Sequence, residues 1–174
     1  MRKTVPVLLL AFATTFGAVS VAEAAPPGMK TEMNGRVADQ LRDQGPSGLL
    51  GRKCEGMHNI PVWGTLRANN PKAPTMVKGD GIEVRCSGGM ATEVVLRKGF
   101  DGKLPKGTAW GMKWKEVYKT LKKAGLKDRI AKDKKSADGP YVKLRGQGSG
   151  ASVVWRWSDS KGKTPVDTIT FAKN

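Results

Sequence analysis

The sequence predicts a small α+β domain, in which an antiparallel sheet of about five strands is covered by one main amphipathic helix. A disulfide is expected to fix an irregular segment near the N-terminus. Apolar and polar side chains alternate over residues 82–86, as in a half-buried strand. Residues 114–124 carry apolar side chains at helical spacing. Because no crossover helix separates the later apolar stretches, we expect their strands to pair antiparallel.

The N-terminus has the features of a secretory signal peptide. Arg2 and Lys3 precede the apolar residues 5–21, and Ala22-Glu23-Ala24 supplies a cleavage pattern. The alternative is a single membrane anchor. With a signal peptide, the product is exported, periplasmic or extracellular, and keeps no transmembrane span. The chain then divides into a signal peptide (residues 1–24), a mobile N-terminal segment (25–34) and a single α+β domain (35–174).

The two cysteines predict one disulfide, Cys54 to Cys86, because an exported protein folds in an oxidising compartment. A second interpretation is a soft-metal or Cys/His catalytic site around Cys54 and His58, helped by Met90 and Met112. A metal site needs three or four ligands, and a thiolate nucleophile needs an oriented histidine. Neither arrangement is visible, so we predict no metal site and no cofactor.

The elements before residue 100 are a short helix, a strand and a hairpin. Val37 and Leu41 lie one turn apart in the predicted helix, which Gly45-Pro46 ends. The hairpin turns at Ser87-Gly88-Gly89. The predicted bounds are 36–43 for the helix, 62–67 for the strand, and 82–86 and 90–97 for the hairpin.

The elements after residue 100 are the main helix and a second β region. The helix has lysines opposite its apolar face and ends at Gly125. Glycine-rich and serine-rich turns separate the strands that follow, and Val153, Trp155 and Trp157 share one face. The predicted strands are residues 141–145, 151–157 and 166–171.

The run GKLPKGTAWGM, residues 102–112, is followed by a helix with Val117 and Leu121. This pattern resembles exported β-lactamase-inhibitor-protein-like and SmpA/OmlA-like domains, and the resemblance covers residues 99–171. It implies a helical segment before antiparallel strands. It also implies a non-enzymatic role, in which the domain binds proteins or scaffolds envelope machinery. No functional residue carries over from it.

The charge indicates the class of partner. The chain has 31 Lys plus Arg against 15 Asp plus Glu, a formal net charge of +16, and residues 113–135 alone hold ten basic and three acidic residues. A charge run can be only a solvated face. It can also attract an anionic cell-envelope polymer, an anionic lipid surface or an acidic protein. Lysine outnumbers arginine, which argues against sequence-specific recognition of nucleic acid.

We therefore expect a non-enzymatic exported binding or scaffold module with a basic face, and no catalytic residue. The alternative is a small secreted basic hydrolase or nuclease that uses His58, the only histidine, with Glu55. The predicted partner-binding residues are Trp63, Arg67, Lys72, Lys78, Lys115, Lys119, Lys122 and Lys123.

Overall fold

The structure is a computed structural model that describes residues 27–57, 60, 62–147 and 150–173, with side chains from residue 35 onward. The predicted signal peptide, residues 1–24, and His58 lie outside the described residues. In the part of the chain that is described, no helix has the length and apolar character needed to cross a membrane.

The described strands form one antiparallel sheet of eight, in the order β1-β2-β3-β4-β8-β7-β6-β5. Each half of the sheet is a four-stranded meander, and the halves are joined where β8 pairs with β4. β8, the last of the described strands in chain order, is therefore central in the sheet. The strands are β1 (Arg67–Ala68), β2 (Met76–Gly79), β3 (Ile82–Ser87), β4 (Met90–Arg97), β5 (Ile130–Asp133), β6 (Tyr141–Leu144), β7 (Ser152–Arg156) and β8 (Thr168–Ala172).

Two α-helices accompany the sheet, α1 (Pro27–Gln44) and α2 (Trp114–Lys123). α2 buries Trp114, Val117 and Leu121, the residues that helical spacing places on its apolar face. Short 3₁₀ helices lie at Pro46–Leu49, Pro105–Gly107 and Lys127–Arg129.

The core follows directly from the register of the strands. Val84, Val94, Phe171, Val153 and Leu144 are paired one after another across β3, β4, β8, β7 and β6, and all are buried. They form one hydrophobic cluster with the buried side chains of α1 and α2. Both halves of the sheet therefore share a single core, and the alternate strand positions form a mainly polar opposite face.

The predicted sheet of about five strands under one main helix is wrong, because the sheet has eight strands and two α-helices accompany it. The prediction missed β2 and β5, which have four residues each. β2 buries only Val77 and β5 buries no side chain completely, so neither shows a clear apolar alternation. The strand predicted at residues 62–67 is also wrong, since β1 is confined to Arg67–Ala68.

Other predicted elements are confirmed. β3 and β4 form the expected hairpin, α2 is the amphipathic helix expected from residue 114, and β6, β7 and β8 form the second β region. The helix predicted over residues 36–43 is part of the longer α1, which also takes in residues 27–34.

The predicted disulfide is also confirmed. Cys54 and Cys86 are bonded, with their Cα atoms 6.4 Å apart. Cys54 is fully buried, and its backbone N–H donates a hydrogen bond of 2.9 Å to the carbonyl of Gly89. The bond therefore holds the segment before β1 against the β3–β4 hairpin.

Candidate functional site

A groove of about 640 Å³ lies beside the first half of α2, and we call it the lysine groove. Three segments line it: the start of α2, the residues after β5, and the turn between β7 and β8. Trp114 and Gly162 also line it. The seven lysines of the groove, all exposed, are Lys113, Lys115, Lys119, Lys134, Lys135, Lys161 and Lys163.

The meander brings two of these segments together, because alternate connections of antiparallel strands lie at the same end of a sheet. The β7–β8 turn then packs directly on α2. The backbone N–H of Trp114 donates a hydrogen bond of 3.3 Å to the Gly162 carbonyl. Gly162 has a φ of +61°, and a Cβ at this position would come within 2.7 Å of the Trp114 Cβ. A glycine is therefore required where the turn meets the helix.

Asp159 organises the same turn. Its carboxylate accepts hydrogen bonds from the backbone N–H groups of Lys161, Lys163 and Thr164 at 2.8, 3.0 and 2.6 Å, and from the Thr164 hydroxyl. The Thr164 hydroxyl, followed by the backbone donors, holds the pKa of Asp159 well below its ordinary value. The carboxylate therefore stays charged while it fixes the segment that carries two groove lysines.

Trp114 lines the groove and stacks on Tyr118, which lies outside the lining. Trp114 and Tyr118 are stacked with their centroids 5.8 Å apart. The Lys132 ammonium lies 4.0 Å from the Tyr118 centroid, and that of Lys134 lies 4.8 Å from the Trp114 centroid. The Trp114 indole N–H donates to the Tyr141 carbonyl at 3.2 Å. The rings thus hold cations in place by cation–π attraction and pack α2 onto β6.

The groove lysines have no acidic partners among the described residues, since no described carboxylate pairs with any of the seven. Glu116, the one acid that lines the groove, accepts the Lys113 N–H at 2.7 Å as an N-terminal helix cap. On the sheet, by contrast, Arg85 pairs with Glu83 at 3.0 Å and with Glu93 at 2.9 Å. The charge of Arg85 is therefore compensated, whereas the seven groove lysines form no ion pair with a described carboxylate.

The predicted partner-binding residues fall into two separate groups. Lys115 and Lys119 line the groove, whereas Lys122 and Lys123 are exposed on the last turn of α2, outside its lining. The other charged residues lie on or beside β1 and β2, at the far edge of the sheet from β5. Five strand spacings separate β2 from β6, which is about 24 Å. The structure therefore does not bring Arg67, Lys72 and Lys78 to the lysine groove.

Trp63, predicted to contact a partner, belongs to the core. It is 8% exposed, and its ring lies 5.7 Å from that of Phe100. Trp110, the other tryptophan in a loop, is half-buried and donates its indole N–H to the Phe100 carbonyl at 3.3 Å. These rings pack the loops against the sheet.

Sequence reasoning missed five of the seven groove lysines as site residues. Lys134 and Lys135 lie within the basic run, but Lys161 and Lys163 lie far from it in the chain. The signal that could have found them is the meander itself, because it predicts that the connection before β6 and the connection after β7 share one end of the sheet.

The alternative catalytic site gains no support from the described residues. Glu55 is exposed, and Cys54 is held in the disulfide. Within the described ranges, no three His, Cys, Asp or Glu side chains are placed to hold a metal ion.

Comparison with known proteins gives no match, since no family model, curated protein or solved structure matches this chain. The resemblance to exported inhibitor-like and SmpA/OmlA-like domains therefore stays a prediction.

Proposed function

We propose that this protein is an exported, non-enzymatic binding module whose lysine groove binds an anionic polymer of the cell envelope. The observation that supports the proposal is the set of seven exposed lysines that converge in one groove and pair with no carboxylate of the described residues. Mutual repulsion among them opposes folding, and a bound polyanion would relieve it.

A polymer fits the groove better than a single small anion. The lysines are spread over three segments, so they can contact successive charges along an extended chain. The lining contains no arginine, and an ammonium acts as a point charge without the planar geometry of a guanidinium. The groove is therefore suited to repeating phosphates or carboxylates with little preference for the sugar or backbone between them.

Export is supported by two independent features. The N-terminal sequence predicts a signal peptide. The Cys54–Cys86 disulfide is compatible with that destination, because disulfides persist in oxidising compartments and are rare in the cytosol.

The test measures binding of inorganic polyphosphate and of polyglutamate as salt is varied. The groove variant carries Lys115→Glu, Lys134→Glu and Lys161→Glu. The control carries Arg67→Glu, Lys72→Glu and Lys98→Glu, which change the net charge equally on exposed residues elsewhere. We expect the groove variant to bind about a hundredfold more weakly than the control, since each surface charge contributes about 1 kcal/mol. The logarithm of the affinity of the unaltered protein should fall linearly with that of the salt concentration.

Equal losses of affinity in the two variants would show that only net charge matters and would contradict the assignment of the groove as the binding site. Affinity that does not change with salt would overturn the proposed electrostatic binding. Circular dichroism of both variants confirms that each is folded before its binding is compared.

A further inference from the structure

A second concave site lies at the opposite end of the C-terminal half of the sheet from the lysine groove. It is a cavity of about 600 Å³, which is within the usual range for small-molecule sites. The 3₁₀ helices Pro46–Leu49 and Pro105–Gly107 border it on one side. The end of β6, the start of β7 and the end of β8 border it on the other.

Apolar side chains of three neighbouring strands form the floor of this cavity. Phe171 is paired with Val153, and Val153 with Leu144, so the three lie side by side on the core face. Leu50 and Pro105 add apolar surface from the connecting segments. Leu144, Val153 and Phe171 are 2%, 7% and 3% exposed, so they close the bottom of the cavity. The open apolar surface comes mainly from the half-buried Leu50, Pro105 and Ala151.

The rim of the cavity is basic and contains no acid. Lys106, Arg129 and Lys173 line it, and its other polar lining residues are neutral. The Arg129 guanidinium is held in place, since its Nε and Nη2 donate to the Arg145 carbonyl at 3.0 and 2.7 Å. A planar guanidinium beside an apolar floor is well suited to a carboxylate.

Lys106 has an unusual backbone conformation. Its φ is +56°, and it is the one non-glycine residue with positive φ among the described residues. In this left-handed region a Cβ lies too close to the following carbonyl oxygen, so the conformation is disfavoured for every residue except glycine. Strained residues of this kind cluster at functional sites. Here the strained backbone places an ammonium at the rim of the cavity.

From the apolar floor, the acid-free basic rim and the volume, we propose that the cavity binds a medium-chain organic carboxylate. The hydrocarbon chain lies against Leu50, Pro105 and Ala151 above the buried floor, and the carboxylate meets the rim cations. This site is separate from the lysine groove, so either proposal can fail alone.

The ligand test compares three probes by calorimetry with the full protein. Octanoate has both the apolar chain and the carboxylate, octylamine keeps the chain with the opposite charge, and acetate keeps the carboxylate without the chain. We expect saturable binding of octanoate and at least about tenfold weaker binding of the other two. Octylamine or acetate binding as tightly as octanoate would overturn the proposal.

The variants separate the charge of Lys106 from its strain. Lys106→Ala and Lys106→Gly should both weaken octanoate binding about tenfold, because each removes one charge-assisted contact. Lys106→Gly should also raise the melting temperature by about 2–4 °C relative to Lys106→Ala, because it relieves the left-handed conformation. The control Lys98→Ala alters an exposed lysine that does not line the cavity.

A second variant, Ala151→Leu, adds volume to the cavity lining and should abolish octanoate binding. Unchanged binding in both Lys106→Ala and Ala151→Leu would place the ligand elsewhere and overturn the site. The groove variant Lys115→Glu/Lys134→Glu/Lys161→Glu should retain octanoate binding, and loss of binding there would also contradict the assignment.

Discussion

Gly162 decides how closely the β7–β8 turn can approach α2. Its positive φ and its closeness to Trp114 are two separate reasons for a glycine. Lys106 is also left-handed but keeps its side chain. Both residues have left-handed backbone conformations, but with different consequences. At Gly162 the conformation allows close packing at the groove, and at Lys106 it places a charge at the cavity.

Replacing Gly162 by alanine should destabilise the protein. We expect a loss of about 2–4 kcal/mol, because the added Cβ combines a disfavoured φ with a clash against Trp114. The measurement is urea unfolding followed by circular dichroism.

Gly88→Ala is the matched control for this prediction. Gly88 has a φ of +57°, and no atom lies within 4 Å of the position that its Cβ would take. The control should therefore lose only the conformational contribution, about 1 kcal/mol. If Gly162→Ala costs no more than Gly88→Ala, the close contact with Trp114 is not significant.

Individual buried residues were predictable where a strand pattern exposed them, but their polar contacts were not. Trp155 and Trp157 are both buried, as the shared face predicted. The Trp155 indole N–H donates to the Thr108 hydroxyl at 3.2 Å, and that of Trp157 donates to the Met112 carbonyl at 3.4 Å. These partners lie more than forty residues away along the chain, beyond the reach of a local pattern.

The disulfide acts at the scale of elements, because it ties the segment before β1 to β3. The bonded cysteines are 32 residues apart. In the chain-entropy description, closing a loop of this length contributes about 4 kcal/mol to stability.

We therefore expect reduction to lower the free energy of unfolding by up to about 4 kcal/mol. The measurement compares urea unfolding of the oxidised protein with that of the same protein kept in dithiothreitol. The variant Cys54→Ala/Cys86→Ala, unfolded with and without dithiothreitol, is the control for effects of the reductant itself. Equal stability of the oxidised and reduced protein would contradict the prediction.

Elements were predictable in proportion to the apolar surface that each one buries. α2 and the β3–β4 hairpin carry clear periodic patterns, and both were found. β2 and β5 are short strands next to or at an edge of the sheet, where one side chain or none is fully buried. Their pairing comes mainly from backbone hydrogen bonds, which require no alternation of apolar and polar residues in the sequence.

The whole molecule depends on the pairing of β4 with β8. Ile169 of β8 is fully buried and lies directly between Leu96 of β4 and Trp155 of β7. Because one hydrophobic cluster runs through both halves, we expect the halves to unfold together.

Ile169→Ala tests this cooperativity. Removing a buried isoleucine should cost about 3–4 kcal/mol and shift the whole unfolding curve. Circular dichroism and tryptophan fluorescence should give coincident single transitions. Thr170→Ala, on the opposite face of the same strand, is the control and should cost less than about 1 kcal/mol. Two separate transitions in the unaltered protein would show that the halves are independent.

The central position of β8 also sets the order in which the chain can fold. β4 pairs with β8, which follows β5, β6 and β7 in the chain. A chain that emerges from its N-terminus, from a ribosome or through a secretion channel, can complete its first hairpins early. It cannot close the sheet until residues 168–172 have emerged. The complete sheet therefore forms only after these residues have emerged, and until then the two halves of the sheet are not joined.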